Sequence, residues 1–198
     1  MLKYNKDNPL RVVTLCSGYD SQCLALERLK RTYPEFDYEL VAWSEFDPET
    51  PNVPLHRQAP VVAHNALFPQ WSDRNLGDMT KISWGGNREP LIIVTNPKPI
   101  TMAKKETKQE SKQNKIELPP ELQGKKFRIR KLTPRECFRL MGVDDADIDK
   151  IQASGLSNSA QYKLAGNSIV VDVLFHLFRK LFIEPEQEVR PGEQFSLF

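Results

Sequence analysis

The feature that most constrains this chain is a strand–helix–strand pattern near its start. Arg11-Val-Val-Thr-Leu15 is a short apolar, β-branched run, which predicts a buried strand. Ser21 offers an N-cap, and Gln22, Leu26, Leu29 and Tyr33 recur at helical spacing as one buried stripe, with Pro34 as the stop. Tyr38 to Ser44 is a second, largely apolar strand. Two strands joined through a helix within about 35 residues make a βαβ unit, with parallel strands and a right-handed crossover. The expected fold class is therefore α/β.

The rest of the chain departs from that regularity. From Asp47 to Asn75 the prolines at 48, 51, 54, 60 and 69 keep any helix short. Gly77-Asp78-Met-Thr-Lys-Ile82 follows, then Ser83 to Pro90 reads as turn chemistry and Leu91 to Thr95 as a lone apolar strand. Lys98 to Gln123 is polar and lysine-rich, the composition of a solvated, mobile loop. Thr133-Pro-Arg-Glu136 is a capping box with Pro at the first helical position, opening a helix that Gly142 closes. Asp144 to Ser154 predicts a second short helix. Ser168 to Ile183 predicts a long helix, apolar nearly all round and packed on the sheet. These shifts divide the chain into an N-terminal part (1–83), a junction and polar loop (84–124), a C-terminal helical part (125–183) and a tail (184–198).

Bulk properties exclude several classes. A chain of 198 residues, 39% of them apolar, suits one core. A formal charge of +2 does not mark a nucleic-acid binder, so any basic patch must be local. Three cysteines without framework spacing suit a reduced, cytoplasmic protein. The N-terminus has no apolar signal-peptide core, and Ile169 to Ile183 is too short and too charged to span a bilayer. His56, His64 and His176 have no metal-ligand spacing.

A strand that ends in Cys16-Ser17-Gly18-Tyr19-Asp20 before a helix puts backbone N–H groups where open α/β sheets bind nucleotides. An ordinary βα turn looks the same, since Gly18 is its one glycine. Glu45 closes the second strand, where a carboxylate can accept both hydroxyls of a ribose; a solvent-facing strand-end acid is the plainer reading. Asp78 is a third candidate, an acceptor for an adenine amine or simply a turn Asp.

Five blocks in order carry a resemblance. Leu15-Cys-Ser-Gly18, Ser44-Glu-Phe-Asp47 and Gly77-Asp-Met-Thr80 are similar to the first three motifs of the DNA (cytosine-5) methyltransferases. Arg130-Lys-Leu-Thr-Pro-Arg-Glu-Cys-Phe-Arg-Leu-Met-Gly142 resembles the ninth motif, and Gln161 to Val171, with Gly166-Asn167-Ser168, resembles the tenth. Cys16 stands where the family has Phe.

The resemblance implies a reduced Rossmann-like sheet with flanking helices, DNA as partner and S-adenosylmethionine as cofactor. Cys16, Ser17 and Gly18 would approach its methionine part, Glu45 its ribose and Asp78 its adenine. Asn167 and Ser168 would close the pocket from the C-terminal side.

Methylating carbon 5 of cytosine needs a thiolate that attacks carbon 6 of a flipped base. In the family that thiolate sits in a Pro-Cys loop, followed by a Glu-Asn-Val segment and a target-recognition region. This chain passes from Ile82 directly to Trp84-Gly-Gly-Asn-Arg-Glu-Pro, which resembles the end of a target-recognition region. An internal deletion with its junction near Ser83 to Gly86 accounts for this. Cys16, Cys23 and Cys137 do not stand beside Pro and read as inert thiols, so no catalytic residue is assigned. The loss is expected to expose apolar sheet edge and invite self-association.

Lys125-Lys126-Phe-Arg128-Ile-Arg130-Lys131 places five cations in seven residues, which serve either as phosphate contacts or as a solvated charge run. Three functions remain open: a cofactor-binding homologue unable to transfer a methyl group alone, a non-catalytic module that pairs with DNA or a larger methyltransferase, and a deletion product without function.

Overall fold

The computed structural model describes residues 2–82, 92–95 and 130–184, the stretch 92–95 by its backbone only. β1 (Leu10–Leu15), α1 (Ser21–Thr32) and β2 (Tyr38–Ser44) form the expected unit, with the two strands parallel. β2 carries one extra residue, Val41, opposite the step from Val12 to Val13. Leu10, Val12, Val13 and Thr14 are all buried, as a strand covered on both faces requires.

The run expected as a lone strand instead joins this sheet. β3 (Ile92–Thr95) pairs parallel with β1, giving the order β2-β1-β3. The edge of β1 away from β2 is thus hydrogen-bonded from Val12 to Leu15, and β3 becomes the outer strand on that side. An unpaired strand edge holds a row of unsatisfied backbone groups, and β3 pairs with those of Val12 to Leu15. Lys98 to Gln123 and the tail beyond Glu184 lie outside the described residues.

Five further helices complete the described chain: α2 (Ala59–Leu67), α3 (Pro134–Leu140), α4 (Asp145–Ala153), α5 (Asn158–Gly166) and α6 (Val171–Phe182). Short 3-10 turns cover Leu55–Arg57, Pro69–Arg74 and Met79–Lys81. Three local expectations change. Asp20, rather than Ser21, caps α1: its φ is 66° and its carboxylate accepts the Cys23 N–H at 3.1 Å. The Thr14 hydroxyl donates to the same carboxylate at 2.8 Å, which ties the cap to β1. Secondly, the last helix starts at Val171 rather than Ser168, and Gly166 and Asn167 close α5, a helix the sequence did not predict. The Ser157 hydroxyl starts α5 by accepting the Ala160 N–H at 3.2 Å.

The third change concerns α6, which packs chiefly on α1 rather than directly on the sheet. Val171, Leu174, Phe178 and Phe182 are buried at helical spacing, whereas Val173, Leu177 and Leu181 are exposed. Phe182 stacks on Phe36 with ring centroids 6.2 Å apart. On the other side of the sheet unit, Trp43 is fully buried, stacks on His64 at 3.6 Å and donates from Nε1 to the Trp71 carbonyl at 2.8 Å.

Arg28 joins α1 to the C-terminal part. Its Nη2 donates to the Gly142 carbonyl at 2.7 Å and to Asp144 Oδ1 at 3.1 Å, and its Nη1 pairs with Asp172. Arg31 reaches the other Asp144 oxygen at 3.1 Å. Gly142 ends α3 at φ 75°, and a Cβ there would meet the Asp172 carboxylate at 3.1 Å. The clamp therefore needs glycine at that corner.

Arg28→Met removes the clamp and leaves the Gly142 carbonyl and Asp172 without its guanidinium, while Asp144 keeps Arg31. Urea denaturation should show a loss of about 2 kcal/mol; an unchanged midpoint would mean the clamp contributes nothing. The capping box at α3 gives a second test. Arg130 donates to both oxygens of Glu136, at 2.8 and 2.6 Å, and the Thr133 N–H donates to Oε2 at 2.8 Å. Arg130 and Thr133 together hold the Glu136 carboxyl down to about 2, below its ordinary 4.5. A depressed carboxyl stabilises the fold above its unfolded value and loses that contribution as pH falls through the folded one. The melting gap between the native chain and Glu136→Gln should therefore be full near neutral pH and close as pH falls from about 4.5 to about 2. A gap that stays constant across that range would show the pair is not coupled to folding.

Candidate functional site

The turn after β1 bends sharply. Cys16, Gly18 and Asp20 all have positive φ, at 53°, 62° and 66°. The Cys16 N–H donates to the Ser44 carbonyl at 2.9 Å, so pairing with β2 continues into the turn. Its thiol lies 3.2 Å from the Met79 sulfur. The Gly18 N–H donates to Glu45 Oε2 at 2.6 Å, which locks the end of β2 onto the turn of β1. A Cβ on Gly18 would have no atom within 4 Å, so the backbone there faces open space.

That space is a cavity of about 290 Å³. One wall is built from Cys16, Gly18, Glu45, Asp47, Thr50 and the start of α2 at Ala59 and Pro60. The opposite wall is α5, from Ser157 through Lys163 and Leu164 to its C-cap Asn167. Four of the seven residues nominated for the cofactor, Cys16, Gly18, Glu45 and Asn167, thus meet around one cavity, although Gly18 and Asn167 lie 149 positions apart. Glu45 is 3% exposed, a carboxyl held at the floor and not a solvent-facing acid.

The other three stand apart from this lining. Ser17 is fully buried, and its hydroxyl has no hydrogen-bond partner among the described residues. Asp78 caps the turn at Met79–Lys81 and accepts from the Thr80 amide at 3.0 Å and hydroxyl at 2.7 Å; the Thr80 hydroxyl bond, followed by the amide bond, holds its carboxyl below the usual range. Ser168 lies beside Tyr19, whose hydroxyl burial pushes up to about 12, with Ser168 acting in the opposite sense.

Two charged residues of the cavity, Asp47 and Lys163, went unnominated. Lys163 Nζ donates to Glu49 Oε2 at 2.7 Å and lies 3.6 Å from Asp47 Oδ2. The hydrogen bond that Lys163 donates to Glu49 is the first cause of its raised pKa. Asp47 lies two residues past Glu45, and Lys163 four before Asn167, one helical turn along the same face of α5. The signal was present as spacing, but α5 itself was not visible.

A second cavity, of about 270 Å³, lies between α1, α2 and α4. None of the nominated residues lines it, and its Arg28, Arg31 and Lys150 pair with Asp144, Asp172 and Asp147. Burial, reinforced by Asp20, pushes the buried Cys23 thiol well above its ordinary value. Cys137 lies on α3, inside the capped helix. Among the described residues no group of three His, Cys, Asp or Glu side chains can hold a metal ion, and no helix is long and apolar enough to cross a membrane. Of the basic run, Lys125, Lys126 and Arg128 lie outside the described residues. Lys131 is exposed, and Arg130 is held by Glu136.

The family model described as C-5 cytosine-specific DNA methylase matches residues 52–183. The orphan methyltransferase M.SPBetaI of Bacillus phage SPbeta is 33% identical over 144 residues, covering 63% of this chain and 32% of that protein. The orphan methyltransferase M.SPRI of Bacillus phage SPR is 53% identical over 66 residues, covering 32% of this chain and 15% of its own length. The type II methyltransferase M2.ScrFI of Lactococcus lactis subsp. cremoris is 53% identical over 57 residues, covering 29% and 16%. The chain thus spans about a third or less of the curated relatives it matches. No solved structure matches it.

Gly18→Ala tests the turn. With no atom near the new Cβ, the cost is the left-handed backbone alone, about 1 kcal/mol in urea denaturation. A neutral or stabilising result would show that the turn relaxes without a left-handed residue.

Proposed function

This chain belongs to the C-5 cytosine-specific DNA methylase family, and on that premise we propose that it binds S-adenosylmethionine but does not, alone, transfer its methyl group. The observation that carries the first half is the Glu45 carboxyl. It lies buried at the floor of a cavity walled by both ends of the chain and is bonded to the Gly18 amide. At about 290 Å³ the cavity is near the lower end of nucleotide-sized sites, and the open backbone at Gly18 permits close approach. Glu45 would hold the ribose, and Asn167 would cover it from α5. Cys16 and Ser17 would bring the backbone of the turn to the methionine part. Asp78 would meet the adenine beside Met79, and Ser168 with Asn167 would close the pocket from the C-terminal side.

When bound, the cofactor supplies an electrophilic methyl group. What the chain must add is a thiolate for carbon 6 of the cytosine, and no cysteine in the sequence follows a proline. Cys23 is buried with a raised thiol, Cys137 lies within α3, and Cys16 occupies the cofactor turn. The second half of the proposal rests on these placements. DNA is the substrate the family implies, and contact with its phosphates would fall to Lys125, Lys126, Arg128, Arg130 and Lys131. Arg130 would first have to leave Glu136.

Calorimetric titration with S-adenosylhomocysteine tests the reading. Saturable one-to-one binding is expected, weakened about tenfold or more in Glu45→Ala and more mildly in Asp78→Ala. No binding by the native chain would overturn it. Labelled methyl groups appearing on cytosine in DNA would overturn the claim of inactivity.

A further inference from the structure

Beside the ribose position, the cavity holds a charge pair without an assigned role: Asp47, which ends the second motif block, and Lys163 on α5. Asp47 is fixed in place. Its N–H donates to Gln58 Oε1 at 2.8 Å, its Oδ1 accepts the Glu49 N–H at 3.1 Å, and its side chain is 10% exposed. Lys163 arrives from α5 across the cavity and divides its ammonium between Asp47 inside and Glu49 at the rim, whose side chain is 72% exposed. Lys163, the one cation lining the cavity among the described residues, therefore offsets a carboxylate that would otherwise act on whatever occupies it.

We propose that Asp47 and Lys163 together set how strongly this cavity distinguishes a positively charged sulfonium nucleoside from its neutral thioether product. The inference rests on the cofactor reading above. S-adenosylmethionine carries one more positive charge than S-adenosylhomocysteine, while the two share nucleoside and amino-acid parts. Shape and hydrogen bonding act on both alike, whereas a nearby carboxylate acts on the difference. With Lys163 in place, Asp47 is partly compensated and the preference for the sulfonium stays small. Without that ammonium, one uncompensated charge within about 8 Å changes the preference about fivefold or more in a partly solvated site.

The test measures dissociation constants of both compounds for the native chain, Lys163→Met, Lys163→Arg, Asp47→Asn and the Lys163→Met/Asp47→Asn double variant. Expected is a rise of about fivefold in the preference for S-adenosylmethionine in Lys163→Met, shrinking with added salt. Lys163→Arg should keep the native ratio, Asp47→Asn should lower it, and the double variant should lose the gain. If Lys163→Met weakens both compounds equally, the lysine is only a tie between α5 and the loop after β2, and the proposal is overturned. If the native chain binds neither compound, the cofactor reading has failed and this inference fails with it. Native binding with an unmoved ratio overturns this inference and leaves that reading standing.

Discussion

Arg28 is the interaction on which the rest of the structure depends. One guanidinium on α1 reaches the carbonyl that ends α3, the residue that precedes α4 and the first turn of α6. These groups lie 114, 116 and 144 positions further along the chain. Apolar packing of α6 on α1 supplies area without direction, while a forked donor meeting three acceptors sets register and orientation. Gly142 is part of the same device, because only a residue without a side chain brings its carbonyl and the Asp172 carboxylate to one cation.

The cavity follows from that alignment. One wall comes from the turn of β1 and the end of β2, the other from α5, and neither half encloses a space alone. Its polar groups are engaged before any ligand arrives: Glu45 holds the Gly18 amide, and Lys163 spans Asp47 and Glu49. A site arranged in this way orients a polar ligand through groups already ordered, which lowers the entropy lost on binding. Of the three thiols, Cys16 lines the cavity in the turn after β1, Cys23 is buried on α1 and Cys137 lies on α3.

Much of the N-terminal unit was legible because its signals are local. Leu10 to Leu15 and Tyr38 to Ser44 are β-branched and aromatic runs, Pro34 ends α1 in the next turn, and Thr133 to Glu136 spells its own capping box. The misread positions share a different property. Ser21 is a better cap than most residues, yet the buried Thr14 hydroxyl and a left-handed backbone gave the role to Asp20. α5 was missed because Asn158-Ser-Ala-Gln-Tyr-Lys shows no apolar stripe, and its cap and tertiary contacts supply what periodicity lacks. α6 read as apolar all round, since composition does not say which face meets α1.

By itself, the sequence determined the α/β class, the βαβ unit, the family and the absence of a Pro-Cys loop, all of which are written in contiguous residues. Only the tertiary structure decided that β3 fills the edge of β1 and that Glu45 bonds the Gly18 amide. It alone set Asp47 and Lys163 on opposite walls of one cavity. The reason is physical. Strand, cap and turn preferences act over a few residues and can be read along the chain. Edge pairing, ion pairs and cavity walls depend on which distant groups the packing of α1 against α6 brings within a few ångströms.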